Sequence, residues 1–436
     1  AACIVIGTML LSACGGGGGG GGVGPPQNPP ASGPINGGII INDPPPTNGP
    51  PPVDAPKATT RLEAARFLTQ ATFGASEDSI NTLMNTFGGN YEQWIDAQLQ
   101  QLPSEPSYFN HIQSTDGNVS LFPLFWRHAT YGNDQLRQRM AFALSQVFVT
   151  SAEREFFPES WRDRASASYY DALTVGAFLN YRTVLQNVTL HPYMGLYLGS
   201  LRNQKESANG TTIPDQNYAR EVMQLFSIGL HQLNPDGTAP RDSNNVPLPT
   251  YSNQDIAGLS RVFTGWNWVG NSFFGDCGQK ADCNNQPMTP FQSFHSTLEK
   301  KFLDASIPGS TGITQSLGQA LDQIANHPNV APFMARRLIQ QFITSNPSRD
   351  YIGRVAKVFT NEGGNLGKVV KAILLDPEAR DIAYATRTDS FGKLREPVIR
   401  LTNWMRAFDL QDGQGQFLGP TSLAVSFAIA SKRDEL

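Results

Sequence analysis

The stretch LRQRMAFALSQVFV, residues 136–149, decides the fold class of this 436-residue chain. Its apolar residues recur every three or four positions, which is the spacing of one face of an α-helix. The residues of that face are Leu136, Met140, Ala143, Leu144 and Val147. Residues 330–343 repeat the pattern, and so do residues 369–374, which a proline at position 377 follows. We therefore expect an all-α protein, a multi-helix bundle with long irregular loop insertions.

Two long stretches without this spacing interrupt the helical pattern. They are residues 234–251, which contain four prolines, and residues 270–300. Loops of that length in a compact domain are usually either functional or disordered. Between them, Ser252 is followed three residues later by Asp255, which is the arrangement of a capping box. We expect a helix to start there.

The composition is uneven along the chain. Residues 15–56 contain 13 glycines, 12 prolines and only two charged residues, so this segment cannot bury a core and is expected to act as a flexible tether. The chain has a net charge of -4, which excludes strong electrostatic binding to nucleic acid. Because no run of 18 or more apolar residues occurs, a polytopic membrane protein is excluded as well.

Residues 1–13, AACIVIGTMLLSA, are typical of the apolar region of a secretory signal peptide whose start is missing. The segment runs into Leu11-Ser12-Ala13-Cys14, which resembles the bacterial lipobox. There the signal is cut before the cysteine, whose thiol is lipidated. The alternative is a chance cysteine at the end of an ordinary signal. Because Gly15 rather than an aspartate follows, the sorting pattern favours the outer membrane. The expectation is a bacterial cell-envelope protein, an outer-membrane lipoprotein held to the membrane by its lipid anchor.

These features divide the chain into four parts. Residues 1–13 are an incomplete lipoprotein signal peptide, residues 14–58 a Gly/Pro-rich disordered tether, and residues 59–415 a helical domain. Residues 416–436 form an atypical tail that reads as truncated or frame-shifted. Its last four residues, RDEL, mimic an endoplasmic-reticulum retention signal, which behind a bacterial lipobox is a coincidence.

Cys277 and Cys283 lie six positions apart in a polar loop. Two such cysteines in an exported protein favour a local disulfide. The alternative is a metal site, which would need more ligands at tight spacing than this loop offers.

The segment NYAREVMQLFSIGL, residues 217–230, predicts an amphipathic helix with a polar seam. At 100° per residue, one stripe of about 100° carries the side chains of Asn217, Arg220, Glu221 and Gln224. One interpretation is a solvated helix face. The other is a ligand-binding seam, with Arg220 gripping an anion or carboxylate and Glu221 acting as its partner or as a base.

Arg137 falls within the apolar stripe of residues 136–149, at nearly the same angle as Leu144. An unpaired buried charge is costly, so this arginine either snorkels, forms a structural ion pair with a carboxylate, or binds a ligand.

The six histidines form no close metal-binding pair, and no nucleophile-elbow, P-loop or dinucleotide-binding motif occurs. No cofactor and no metal is therefore expected. His231 follows the seam directly, and His295 ends the second loop. A site built from Glu221, His231 and His295 remains an open alternative, with Arg137 and Asp255 as further possible members.

Eight stretches of the chain resemble one bacterial family, the domain of unknown function 1800. They are RLEAARFLTQATFG (61–74), LRQRMAFALSQVFV (136–149), VTLHPYMGLYL (188–198), NYAREVMQLFSIGL (217–230), RVFTGWNW (261–268), HPNVAPFMARRLI (327–339), ILLDPEAR (373–380) and LREPVIRLTNW (394–404). The resemblance covers residues 59–410 and implies an exported, mostly helical protein. It also implies a genomic neighbour, a secreted family of unknown function numbered 1501. No established reaction comes with it.

Two functions from different classes remain open. The first is an envelope-anchored lipoprotein whose helical domain binds or assembles a secreted partner. The second is an envelope hydrolase or other enzyme that uses Arg220, Glu221 and a loop histidine. The absence of a nucleophile or metal motif favours the first, and whether the protein is an enzyme stays open.

Overall fold

The structure is a computed structural model that describes residues 56–114, 121–151, 159–270, 272–275, 277, 283, 285–387 and 390–410. The predicted signal peptide, the lipidation site Cys14, the tether up to residue 55 and the tail 416–436 lie outside the described residues.

The fold is mostly helical. The described residues form eighteen α-helices, which are α1 (Arg61–Ala71), α2 (Glu77–Asn81), α3 (Tyr91–Gln100), α4 (Tyr108–Ser114), α5 (Phe122–Tyr131), α6 (Gln135–Ser145), α7 (Glu159–Gly176), α8 (Tyr181–Leu190), α9 (Pro192–Tyr197), α10 (Asn217–Gln224), α11 (Asn253–Ser260), α12 (Ile313–Ala325), α13 (Val330–Phe342), α14 (Arg349–Asn361), α15 (Leu366–Leu375), α16 (Pro377–Arg380), α17 (Ile382–Arg387) and α18 (Pro397–Ala407). A π-helical turn (Thr82–Thr86) and 3-10 turns at Arg261–Phe263 and Gln292–Phe294 accompany them.

Short polar side chains define several helix starts. The predicted capping box before α11 is confirmed: Ser252 accepts from the backbone N–H of Asp255, whose carboxylate accepts from the N–H of Ser252. Thr60 and Glu63 form a second capping box at α1. Asp376 follows the last residue of α15 and caps α16, so the predicted stop at this position is also correct.

Helix α6 lies inside the core rather than on its edge. It packs against α1, α3, α5, α7 and α13, and nine of its eleven residues are buried, including Gln135, Gln138 and Arg139. Its apolar stripe was predicted correctly, but a single stripe does not describe a helix with neighbours on several sides. One continuous cluster of buried apolar side chains extends from Ala58 to Met405.

The expectation of a purely α-helical protein needs correction, because the described residues also form two small antiparallel sheets. Strand β1 (Trp266–Asn267) pairs with β2 (Thr289–Pro290), and β3 (Lys300–Phe302) pairs with β4 (Ala305–Ile307). Strands of two or three residues are too short to show the alternating pattern that identifies a strand in a sequence. β3 packs against α11.

Helix α10 ends at Gln224, six residues before the predicted end at residue 230. After Gln224 the backbone hydrogen bonds change from the α-helical pattern. The N–H groups of Phe226 and Ile228 donate to the carbonyl groups five residues earlier, instead of four. Gly229 closes this turn with a φ of 73° and donates to the Met223 carbonyl.

Candidate functional site

The polar seam of α10 is neither a solvated surface nor a buried cluster. Tyr218, Ala219, Val222 and Met223 are buried on the opposite side of the helix. On the seam itself, Asn217 is exposed, whereas the other three predicted members, Arg220, Glu221 and Gln224, are half-buried. The predicted side of the helix is therefore correct. The partial burial means that another part of the chain covers the seam.

The cover comes from the end of the first long loop. The Tyr251 hydroxyl donates a hydrogen bond of 3.2 Å to Gln224 Oε1. Burial raises the pKa of Tyr251 to about 12, with Arg220 lowering it and Glu221 raising it through their charges. Tyr251 thus belongs to the same group as the three half-buried seam residues.

Glu221 is the most unusual member of the group. Its Oε2 atom is buried and has no hydrogen-bond partner within the described part of the chain. Burial raises the pKa of this carboxyl group, and the adjacent charge of Arg220 partly opposes the rise. A carboxylate oxygen that has lost its water without gaining a donor is poised to accept a hydrogen bond from a bound molecule.

An open groove of about 590 Å³ lies at the start of α10. Asp215 and Gln216, which line it, directly precede Asn217. One wall is held by Asn203, whose side chain accepts from the Asp215 N–H at 2.8 Å and donates to the Asp215 carbonyl at 3.1 Å. The Asp215 carboxylate in turn accepts from the Asn217 N–H at 2.7 Å. The groove and the seam are therefore linked by a chain of hydrogen bonds.

Arg202 forms another part of the groove wall. It has a φ of 60°, which is a costly conformation for a residue other than glycine. Its N–H donates to the Trp266 carbonyl at 2.8 Å, and its guanidinium donates to the Gly275 carbonyl at 2.8 Å. The guanidinium also lies 4.9 Å from the centre of the Trp268 ring.

The predicted disulfide between Cys277 and Cys283 is present. Both cysteines are buried against Trp268, with Leu201 packed on the same small cluster. The disulfide therefore supports the Trp268 ring on which Arg202 stacks, and it lies behind the groove wall.

His295 does not take part in the seam. It is fully buried, and its Nδ1 atom lies 2.9 Å from the Thr264 carbonyl, while Nε2 lies 3.4 Å from Ser316 Oγ. Burial lowers its pKa to about 4. Among the described residues, His295 thus bonds to Thr264 and Ser316 and not to Glu221, which assigns it a structural role.

His231 lies at the other end of α10, in a β-bridge with Pro249. Its carbonyl accepts from the Asn329 side chain at 2.8 Å. Its Nδ1 atom is buried without a hydrogen-bond partner among the described residues, and burial lowers its pKa. No described hydrogen bond joins His231 to Glu221.

The other two suggested members, Asp255 and Arg137, have structural contacts. Besides capping α11, the Asp255 carboxylate accepts from the Leu303 N–H at 2.6 Å and so links the helix to the turn after β3. Arg137 donates to the carbonyls of Gln101 and Thr174 and lies 4.6 Å from the centre of the Phe178 ring. Its described partners are thus carbonyl oxygens and an aromatic ring. The ion pair with a carboxylate, which was one of the expectations, is not among the described contacts.

Sequence reasoning missed Tyr251 and Arg202. Tyr251 comes immediately before the recognisable capping box at Ser252, and a large residue preceding a helix cap commonly packs on its neighbours. The position of Tyr251 before the capping box could therefore have identified it. No sequence pattern could have identified Arg202, because its role depends on a left-handed backbone conformation that a sequence does not indicate at a residue other than glycine.

Two absences concern the described residues only, one of a metal-ligand cluster and one of a membrane-spanning helix. No group of three or more His, Cys, Asp and Glu side chains in that part of the chain is arranged to hold a metal ion. No described helix combines the length and the apolar character needed to cross a membrane.

The fold and the site together define a mostly helical protein with a half-buried polar seam beside an open groove. Residues 66–429 match the family described as "Protein of unknown function (DUF1800)". The match covers most of the chain, so the protein belongs to this family, and the resemblance seen in the sequence is confirmed. It extends beyond residue 410, where the resembling stretches were expected to end. No curated protein and no solved structure matches the chain.

Proposed function

We propose that the protein is an envelope-anchored lipoprotein whose helical domain, a multi-helix bundle with loop insertions, binds or assembles a secreted partner. Cys14 would carry the lipid, and the Gly/Pro-rich segment would let the domain move away from the membrane. A member of the secreted family of unknown function 1501 is the partner implied by the family resemblance. The outer membrane is the proposed location.

The observation that carries the binding proposal is the buried Oε2 atom of Glu221, which has no hydrogen-bond partner among the described residues and lies on the helix that begins at the groove. A buried polar atom without a hydrogen bond gains most when a binding partner supplies the missing donor. Ile213, on the rim, is 73% exposed and offers an apolar contact. An open groove with both polar and apolar walls suits an extended protein segment better than an enclosed small substrate.

One feature favours an enzyme as the second candidate. The raised pKa of Glu221 is typical of carboxyl groups that exchange protons with a substrate. The proposed hydrolase would use Glu221 as its acid or base and Arg220 to hold an anionic group. His231 lies near the end of the same helix, but the described contacts do not connect it to Glu221.

The test compares capture of envelope proteins by three forms of the chain. The first is the wild type, and the second is the Arg220→Ala, Glu221→Ala double variant. The third is a control that removes an exposed pair of the same type, Arg61→Ala with Glu77→Ala, which joins α1 to α2. A secreted protein retained by the wild type and the control but lost by the seam variant supports the proposal. Equal retention by all three contradicts it.

The anchor is tested separately. Mass spectrometry of the mature protein should find acyl chains on Cys14, and the Cys14→Ser variant should leave the membrane fraction. An unmodified thiol at position 14 would contradict the lipoprotein proposal and leave the seam proposal standing.

A further inference from the structure

A second group of polar side chains lies away from the seam, where α6 meets the end of α13 and the segment before α18. We refer to Arg139, Lys393, Arg395 and Glu396 as the cationic cluster. Arg139 is fully buried, whereas the side chains of Lys393 and Glu396 are 9% and 30% exposed. The cluster contains three cations and one carboxylate.

Two of the cations converge on one atom. Arg139 Nη2 and Lys393 Nζ both donate to the Gln341 carbonyl, and Lys393 Nζ also donates to the Gln340 carbonyl at 3.0 Å. These carbonyls belong to the last turn of α13, where carbonyl groups lack helical partners and the helix dipole is negative. Capping of α13 thus accounts for the hydrogen bond of Arg139 Nη2 and for the position of Lys393.

Capping does not explain the other nitrogens. Arg139 Nε, Arg139 Nη1 and Arg395 Nη1 are buried, and none has a hydrogen-bond partner in the described part of the chain. Glu396 already accepts from Lys393 at 2.7 Å through Oε1, and its Oε2 atom is buried without a partner. One oxygen of the single carboxylate is therefore engaged with Lys393, and Arg139 and Arg395 retain donors that have no partner among the described residues.

The electrostatics agree with this arrangement. Burial and the neighbouring charge of Arg395 lower the pKa of Arg139 to about 9, while Glu396 opposes the shift. Burial also lowers the pKa of Arg395, again opposed by Glu396. Ordered water would satisfy the free N–H groups, but it would not neutralise the buried charge of Arg139 or the half-buried charge of Arg395.

We propose that the cationic cluster is a binding site for a small oxyanion, the carboxylate or phosphate group of a ligand, held by the unused nitrogens of Arg139 and Arg395. Such groups are what guanidinium donors bind best. The start of α18, directly after Glu396, adds the positive end of a helix dipole. Gln341, Arg395 and Glu396 are partly exposed, so one side of the cluster reaches the surface. This site is independent of the seam on α10.

The proposal is tested by thermal unfolding and calorimetric titration with inorganic phosphate and with acetate, against chloride at equal ionic strength. The wild type should show a saturable rise in Tm with at least one oxyanion, and the stronger of the two identifies the group that the site takes. Arg395→Gln should weaken the measured affinity at least tenfold. Arg61→Gln, at an exposed arginine of α1, should leave it unchanged.

Arg139→Met removes the central donor together with buried contacts of the core, so the substitution at the partly exposed Arg395 decides the matter. Absence of a saturable response to both anions, or equal affinities of the wild type and Arg395→Gln, would overturn the proposal.

Discussion

Tyr251 and Gln224 are joined by a hydrogen bond of 3.2 Å, and this bond ties the end of a long loop to the last turn of α10. Without it the loop would have no described polar link to the seam. The bond explains why a helix face that contains Arg220 and Glu221 is half-buried in this fold.

Tyr251→Phe keeps the ring and removes only the hydroxyl group. We expect the free energy of unfolding to fall by about 1 kcal/mol, because Gln224 Oε1 loses a partly buried donor. We also expect weaker capture of the partner, since the loop that covers the seam is no longer fixed. Chemical denaturation and the capture assay measure the two effects. An unchanged stability would show that the bond contributes nothing to the position of the loop.

Glu221→Gln should make stability less dependent on pH. Because burial raises the folded-state pKa of Glu221 above the ordinary glutamate value of 4.5, the folded state holds the proton more tightly than the unfolded state. This contribution to stability is present below pH 4.5 and is lost as the pH rises through the folded pKa.

The Tm of Glu221→Gln should therefore equal or exceed that of the wild type at pH 7, and the difference should shrink or reverse at pH 4. Glu77→Gln, on the exposed helix α2, is the control and should shift Tm little at either pH. A Glu221→Gln variant that is less stable than the wild type at pH 7 but equal to it at pH 4 would contradict the assignment.

His295 should make the fold sensitive to acid. Its folded-state pKa of about 4 lies below the ordinary histidine value of 6.5, so the unfolded state takes up the proton first as the pH falls. The contribution of neutral His295 to the free energy of unfolding is fully present above pH 6.5. It is lost progressively as the pH falls to about 4, by up to about 3 kcal/mol. The denaturation midpoints of the wild type and of His295→Gln, measured between pH 7 and pH 4, test this loss of stability. If the midpoints of both forms fall equally with pH, His295 is not its source.

Two glycine substitutions of the same type should have opposite effects. A Cβ atom on Gly258 of α11 would lie 1.7 Å from the Lys301 carbonyl oxygen of β3, so Gly258→Ala should separate helix and sheet and cost about 3 kcal/mol. Gly318, within α12, has no atom near the corresponding position. Gly318→Ala should therefore stabilise the protein by about 1 kcal/mol. Thermal unfolding of both variants checks the contrast, and a tolerated Gly258→Ala would show that β3 can shift.

The sequence predicted well those helices whose ends and faces are determined locally. The 330–343 pattern corresponds to α13, and the Ser252–Asp255 pair starts α11 as predicted. The strands β3 and β4 escaped detection because pairing between three-residue segments is decided by what packs on them, here α11.

The candidate site was predicted only in part, because some of its residues are also placed by tertiary contacts. The angular position of Arg220 and Glu221 follows from helical geometry, so their common face was predictable. Tyr251 and Arg202 reach the site from loops, whose paths depend on tertiary contacts. Arg139 was passed over in favour of its neighbour Arg137, because α6 is buried on nearly all sides and its pattern does not separate the two arginines.

The disulfide links the groove wall to the redox state of the compartment that holds the chain. Thiols stay reduced in the bacterial cytosol and pair in oxidising compartments such as the periplasm. The bond between Cys277 and Cys283 supports Trp268, on which Arg202 stacks at the groove wall. If the chain is exported as proposed, newly made copies would lack the disulfide that supports the groove wall until they cross the inner membrane. Premature engagement of a partner by precursors still awaiting translocation would thereby be avoided.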